Sequence, residues 1–384
     1  MKKLITLFMM LIMLIGSASF GTTAVEESEI QVRAKAGVLM DASTGQVLYS
    51  FNENEKLYPA SVTKIMPLLL FMEALDGGKI SLSDKVTTSP TAAGKGGSQI
   101  WLKEGETMTV DELLRATAIG SANDACTALG EHIAGSETGF VKMMNDRAKE
   151  LGMTNTNFVN CSGLDDDTTE HLTTAYDIAL MSRELLKHER IKTYTTVWMD
   201  SLRGGETQLV NTNKLVRFYS GTTGLKTGTT SKAGHCLSAS AERDGLHLVA
   251  VVMGADNSTD RFEGAKAMLD WGFANFETVT PQIDSSLIGE VEILRGTTES
   301  IKPVITGVTP LTLRSGEKNK LETHINLYEN AEAPVEKNQT LGTVTLKIDG
   351  KEIANYNLVS DIYVEKTNLG HIIARFFRSL AKSA

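Results

Sequence analysis

Three short runs of residues carry the atoms of an acyl-transfer site, and they occur in one order. They are Ser61-Val62-Thr63-Lys64, Ser121-Ala122-Asn123 and Lys226-Thr227-Gly228. A serine three residues ahead of a lysine puts hydroxyl and amine on one helix face, a turn apart. The hydroxyl is a nucleophile if the amine can take its proton, which requires a neutral lysine. An ordinary lysine is neutral in only about one molecule in two thousand at pH 7. The apolar run Ile65, Met66, Leu68, Leu69 and Leu70 supplies burial, and Lys226 supplies a second cation. Both lower a lysine pKa. Ser121 suits a proton relay between lysine and leaving group. The amide of Asn123 donates and accepts at once, so it can hold a substrate peptide group and Lys64 together. The third run reads as an edge strand, to which an extended peptide adds as a further strand. Gly228 is expected to let that peptide's backbone come close. The N–H groups of Ser61 and Thr229 are expected to face a developing oxyanion from two sides.

Each run alone is weak. A Ser-x-x-Lys pattern turns up about once by chance in a chain this long. Two more exist, Ser315/Lys318 in a charged loop and Ser379/Lys382 near the end, and neither has partner motifs. Ser-Ala-Asn by itself is more often a plain helix cap. Pro59 sets Ser61 apart, because proline suits the first turn of a helix. There the serine N–H has no intrahelical partner. Pro67 predicts a kink further along the same helix.

The elements that must position these residues are legible as a mixed pattern. Residues 36–40 and 46–49 read as a hairpin. Helices are expected over 61–75, from Thr109 with Glu112 completing a capping box, over 174–186, and as an amphipathic segment over 262–276. Residues 247–253 form a strongly apolar strand. Beyond Thr278 the pattern alternates, and Asp349-Gly350 joins 344–348 to 352–359 as a hairpin.

The two ends carry other signals. Lys2 and Lys3, the apolar stretch 4–15 and the small residues 16–19 read as a secretory signal, with cleavage after Ser19 or Ala24. At the other end Leu369, Ile372, Ile373, Phe376, Phe377 and Leu380 face His371, Arg375, Arg378 and Lys382 across a helix. An aromatic-aliphatic face opposite a basic one describes a helix lying in a membrane interface. A net charge of −9 without a basic stripe argues against a nucleic-acid partner. Three cysteines are too few and odd in number for a disulfide scaffold. No histidine or cysteine spacing suggests a metal, and no cofactor is expected.

With these motifs the chain resembles the low-molecular-mass penicillin-binding proteins, the serine-type D-alanyl-D-alanine carboxypeptidases, over nearly its full length. Their three-motif combination is a known signature. Matching stretches are Tyr58-Pro59-Ala60-Ser61-Val62-Thr63-Lys64-Ile65-Met66, Ser121-Ala122-Asn123-Asp124-Ala125-Cys126, Gly224-Leu225-Lys226-Thr227-Gly228-Thr229-Thr230, Gly163-Leu164-Asp165 and Trp271-Gly272-Phe273. The resemblance implies an α/β (α+β) catalytic domain of the penicillin-binding and serine β-lactamase type over 25–277, behind a signal peptide over 1–24. A small all-β domain over 278–366 and an amphipathic membrane-anchoring helix over 367–384 follow. It makes Ser61 the acyl-ester nucleophile, Lys64 the proton acceptor and Ser121 a proton shuttle. Asn123 and Lys226 would order the site and bind substrate, Thr227 and Thr229 would contact the terminal carboxylate and the scissile carbonyl, and Gly228 would bind substrate between them. Arg261 matches a position used for the terminal carboxylate, and His171 lies in a loop bordering the site. The implied partners are a peptidoglycan stem peptide ending in D-Ala-D-Ala, β-lactams as covalent inhibitors, and a membrane surface. The implied place is the outer face of the cytoplasmic membrane, in a periplasm or a Gram-positive wall. Asn160-Cys161-Ser162-Gly163 departs from the family's usual Asn-Pro-His-Gly. Three rivals remain at this stage: a serine β-lactamase, a DD-endopeptidase or transpeptidase, and a catalytically silent wall-binding protein. For the first, the deacylating Glu-x-x-x-Asn element is only approximated by 206–211.

Overall fold

A segment with no polar face must be buried on both sides, and the apolar strand Leu246–Ala255 is buried at every residue. It is the centre of a five-stranded antiparallel sheet. Across the sheet the order is Val47–Phe51, Ala36–Asp41, Leu246–Ala255, Gly234–Arg243 and Thr222–Thr230. The computed structural model describes residues 30–165, 167–368, 370 and 373. The expected signal peptide and nearly all of the C-terminal amphipathic helix lie outside the described residues. Among those described, no helix is long and apolar enough to cross a membrane.

Alternation splits the central strand between two layers. Val249, Val251 and Met253 join the large core built by the helices Ile65–Asp76, Val110–Ala118, Asn123–Ala134 and Ala175–Leu186. The opposite face carries the helix Ser258–Asn275, capped by Asn257 and burying Phe262, Ala265, Met268, Leu269 and Gly272. Gly272 has no room for a side chain, since a Cβ there would lie 2.6 Å from Leu248 Cδ1. The capping box is present, with the Thr109 hydroxyl accepting from Glu112 N and the Glu112 carboxylate from Thr109 N.

The segment around Ser61 differs from the expected continuous helix. Ala60–Lys64 is a 3-10 turn, and the α-helix starts only at Ile65. Pro67 is then the third residue of the α-helix rather than an interior one. First-turn N–H groups have no intrahelical acceptor, so proline costs little there. This is the physical reason the sequence tolerates it, and the predicted kink is replaced by the change from 3-10 to α.

The β-rich part begins where the last helix ends. Phe276–Val279 pairs with Leu311–Arg314. A four-stranded sheet follows, ordered Val304–Thr306, Lys351–Val359, Thr340–Ile348 and Glu322–Leu327. Asp349 and Gly350 both have positive φ, 50° and 78°, as a tight hairpin turn requires. Asp41 ties this part to the five-stranded sheet. Its buried carboxylate accepts from Thr312 Oγ1 at 2.5 Å and Thr278 Oγ1 at 3.2 Å.

Candidate active site

The turn that carries Ser61 is held by what its neighbours lack. Ala60 has φ 49°, an unusual value for a residue with a Cβ, and swings the chain into the 3-10 turn. A Cβ on Gly163 would lie 1.9 Å from Ala60 O. A Cβ on Gly228 would lie 2.6 Å from Pro59 O and 2.9 Å from both Ser61 N and Val62 N. The backbone that comes close to Gly228 is the chain's own Ser61 turn.

Lys64 is fully buried, and its Nζ meets three acceptors. These are Ser61 Oγ at 3.0 Å, Asn123 Oδ1 at 2.6 Å and Ser162 O at 2.8 Å. As an ammonium it donates to all three. As a neutral amine it keeps two N–H bonds, to Asn123 and Ser162, and its lone pair faces the Ser61 hydroxyl. Burial lowers its pKa from 10.5 to about 8, against the opposing pull of Cys126, Cys161 and Asp124. The base form then amounts to about a tenth of the molecules at pH 7, rather than one in thousands. Acylation of Ser61 is expected to rise about tenfold per pH unit below pH 8 and to level off above it. Stopped-flow acylation by a chromogenic penicillin between pH 6 and 10 measures this directly, and a flat profile would remove Lys64 as the base.

Asn123 opens its helix behind Ser121, whose φ of 63° bends the chain sharply. Its Nδ2 donates to Gly96 O at 2.7 Å, and its backbone N donates to Ser98 O at 2.7 Å. Ser121 is buried beside it. The carboxylate of the next residue, Asp124, accepts from Ile100 N and Leu102 N. Asp124 was not singled out from the sequence, although it lies inside the Ser-Ala-Asn-Asp run.

Thr222–Thr230 is an edge strand, as expected. Lys226 is buried, with Nζ 3.2 Å from Thr227 O. Burial, then the charges of Lys64 and Arg261, push its pKa well below the usual lysine range. Thr227 Oγ1 donates to Thr212 Oγ1 at 2.7 Å. Arg261 is buried rather than a surface residue at a helix start. Its Nη1 donates to Gly228 O at 3.0 Å and Thr229 Oγ1 at 2.9 Å, so it sits at the far end of the same strand.

His171 is corrected from substrate contact to support. It is fully buried, and its Nδ1 accepts from Val159 N at 3.2 Å. Nε2 therefore carries the proton and donates to Thr63 Oγ1 at 2.8 Å. Burial and the Lys64 charge hold its pKa down at about 4, so it stays neutral and fixes the middle of the Ser61–Lys64 turn. Glu206 is exposed in the turn between the paired strands Met199–Leu202 and Thr207–Val210. Asn211 is committed to Thr195 O and Val197 O.

The departing loop 160–163 supplies a part that residue types do not announce. Asn160 Oδ1 accepts from Ser162 N at 3.2 Å and Gly163 N at 2.7 Å, a turn that aims Ser162 O at Lys64. Cys161 and Cys126 are both buried beside it, with Cys126 Sγ 3.4 Å from Cys161 O. Among the described residues no cluster of metal-ligating side chains occurs. The arrangement is a hydroxyl beside a buried amine held by two carbonyl-type oxygens, and an edge strand that carries buried Lys226 and meets Arg261 at its far end.

A family profile described as D-alanyl-D-alanine carboxypeptidase matches residues 22–257. One described as the C-terminal domain of penicillin-binding protein 5 matches residues 276–366. The chain is 44% identical over 361 residues to the D-alanyl-D-alanine carboxypeptidase DacF of Bacillus subtilis, covering 92% of each. It is 35% identical to DacC of Escherichia coli, covering 85% of this chain and 83% of the relative. Its structure is similar to penicillin-binding protein 5 of Haemophilus influenzae, with TM-score 0.79 and 32% identity, covering 88% of this chain and 98% of that one. It is also similar to the ampicillin-bound penicillin-binding protein D2 of Listeria monocytogenes, with TM-score 0.59 and 31% identity, covering 64% of this chain and 99% of that one.

Proposed function

Because this chain belongs to the D-alanyl-D-alanine carboxypeptidase family of serine peptidases, we propose that it removes the terminal D-alanine of peptidoglycan stem peptides with Ser61 as the acylated nucleophile. The observation that carries the assignment of roles is the three-way hold on Lys64 Nζ by Ser61, Asn123 and Ser162. Neutral Lys64 takes the Ser61 proton as Oγ attacks the carbonyl carbon between the two D-alanines. The N–H groups of Ser61 and Thr229 receive the oxyanion. The proton passes, through Ser121, to the departing amine, the C–N bond breaks and D-alanine leaves. Water then attacks the ester with Lys64 again as base, returning the proton to Ser61 and releasing the shortened peptide. Lys226, Thr227 and Arg261 receive the terminal carboxylate as charge and hydrogen-bond donors.

Export behind residues 1–24, a catalytic region over 25–277, a β-domain over 278–366 and anchoring of 367–384 in a membrane interface complete the proposal. What supports the last is the opposition of apolar and basic residues in the terminal segment. Sedimentation with anionic vesicles by the chain from 25 to 384, and not by one ending at 366, is the corresponding check.

The chain from residue 25 is incubated with diacetyl-Lys-D-Ala-D-Ala, free D-alanine is assayed, and penicillin is added for intact-mass analysis. Release of D-alanine and a slowly lost adduct on Ser61 are expected. Rapid turnover of penicillin would instead make it a β-lactamase. Activity confined to cross-linked dimers would make it an endopeptidase. Neither release nor adduct would leave a silent wall-binding protein.

A further inference from the structure

Trp101 is the most exposed large apolar side chain described, at 74%, yet its backbone is among the most constrained. Its φ is 59°, a left-handed value that is costly for a bulky side chain. Both flanking amides are bound by one buried carboxylate. Ile100 N lies 3.2 Å and Leu102 N 3.0 Å from Asp124 Oδ2. Arg203 Nη1 donates to Ile100 O at 2.8 Å, and the side chains of Ile100 and Leu102 are buried. With its neighbours pinned inward, residue 101 is forced outward. No ring–ring or cation–π contact of Trp101 occurs among the described residues. Folding gains little from an indole held in water, so strain is kept here for another reason.

The loop that carries it is a wall of the reaction site. Gly96 O and Ser98 O hold the side chain and backbone of Asn123, which in turn holds Lys64. Ser98 and Trp101 are three residues apart, so their Cα atoms are separated by at most about 11 Å. A stem peptide that leaves the site on the Asn123 side runs along the loop that carries the indole. An indole face attracts methylene groups and, more strongly, a cationic head. A long diamino side chain offers both, because its stem can lie on the ring while the ammonium stays wet.

We propose that Trp101 is a substrate-binding residue whose indole packs on the long side chain of the diamino residue preceding D-Ala-D-Ala, and so sets the preference for stems that carry one. The proposal rests on the carboxypeptidase reading above and adds the specificity of that same site.

The test compares wild type, Trp101→Ala and Trp101→Phe on three peptides. They are acetyl-Lys-D-Ala-D-Ala with a free side-chain amine, its diacetyl form, and acetyl-Ala-D-Ala-D-Ala. Trp101→Ala is expected to lower kcat/KM by about 5- to 30-fold on the free amine, less on the diacetyl form, and under about twofold on the alanyl peptide. Trp101→Phe is expected to fall between. Trp101→Gly, which suits the left-handed backbone, is expected to raise Tm by about a degree or more while showing the alanine variant's kinetics. Equal losses on all three peptides, no loss on any, or a fall in Tm for Trp101→Gly overturns the proposal. A wild type that releases no D-alanine from any of them overturns the carboxypeptidase reading instead, and this one with it.

Discussion

Ser61→Ala and Lys64→Met are each expected to lower D-alanine release by at least about 10⁴-fold, and the double variant to lower it no further. The two residues form one unit. Without Oγ the lysine has nothing to deprotonate. Without the amine, the hydroxyl at 3.0 Å has no described proton acceptor. Stability separates this from unfolding. Carrying Lys64 from a pKa of 10.5 to about 8 disfavours its charged form by roughly 3 kcal/mol at neutral pH. Methionine removes that cost but leaves Asn123 Oδ1 and Ser162 O without their donor, at roughly 1–3 kcal/mol each. The terms nearly offset, so Lys64→Met is expected to melt within a few degrees of wild type. Release and penicillin acylation by the three variants, with calorimetry on each, make the measurement. A double variant that loses the product of the two single factors would show that the residues act independently.

The three motifs were readable because they are side-chain types at fixed spacing, and the structure brings Ser61, Lys64 and Asn123 within hydrogen-bond reach. The edge strand, the capping box and the Asp349-Gly350 hairpin were readable for the same reason: alternation, a cap pair and a turn dipeptide are local rules. What could not be read depends on backbone or distance. Ser162 acts through its carbonyl, an atom every residue has, and only the odd loop 160–163 hinted at it. His171 was placed near the site, but its turn away from the cleft follows from Val159 and Thr63 gripping the two ring nitrogens. The 3-10 turn over Ala60–Lys64 had a trace in the sequence. Pro67 conflicts with a helix started at Ser61 and fits one started at Ile65.

Gly228 shows how far distance can matter, and Gly228→Ala is expected to lower kcat/KM about 10²- to 10³-fold while leaving the fold intact. Its φ is not in the left-handed region, so alanine meets no backbone penalty there. The difficulty is space alone. The new methyl group would meet Pro59 O, Ser61 N and Val62 N, all backbone atoms that cannot rotate aside. One of two elements must move. The strand Thr222–Thr230 is tied to Gly234–Arg243 along its length. The Ser61 turn is tied by the three bonds of Lys64 and by Gly163 packed on Ala60. Either shift separates the Ser61 N–H from the strand it faces, and a displacement near 1 Å costs about 100-fold in a preorganised site. Lys64 keeps its partners, so the rise in acylation toward pH 8 should persist at a lower plateau. Steady-state kinetics, the pH profile and Tm of this one variant discriminate the outcomes. Activity within fivefold of wild type would mean that strand and turn give way without disturbing the oxyanion donor. Loss of the pH inflection would mean that the strain had reached Lys64 instead.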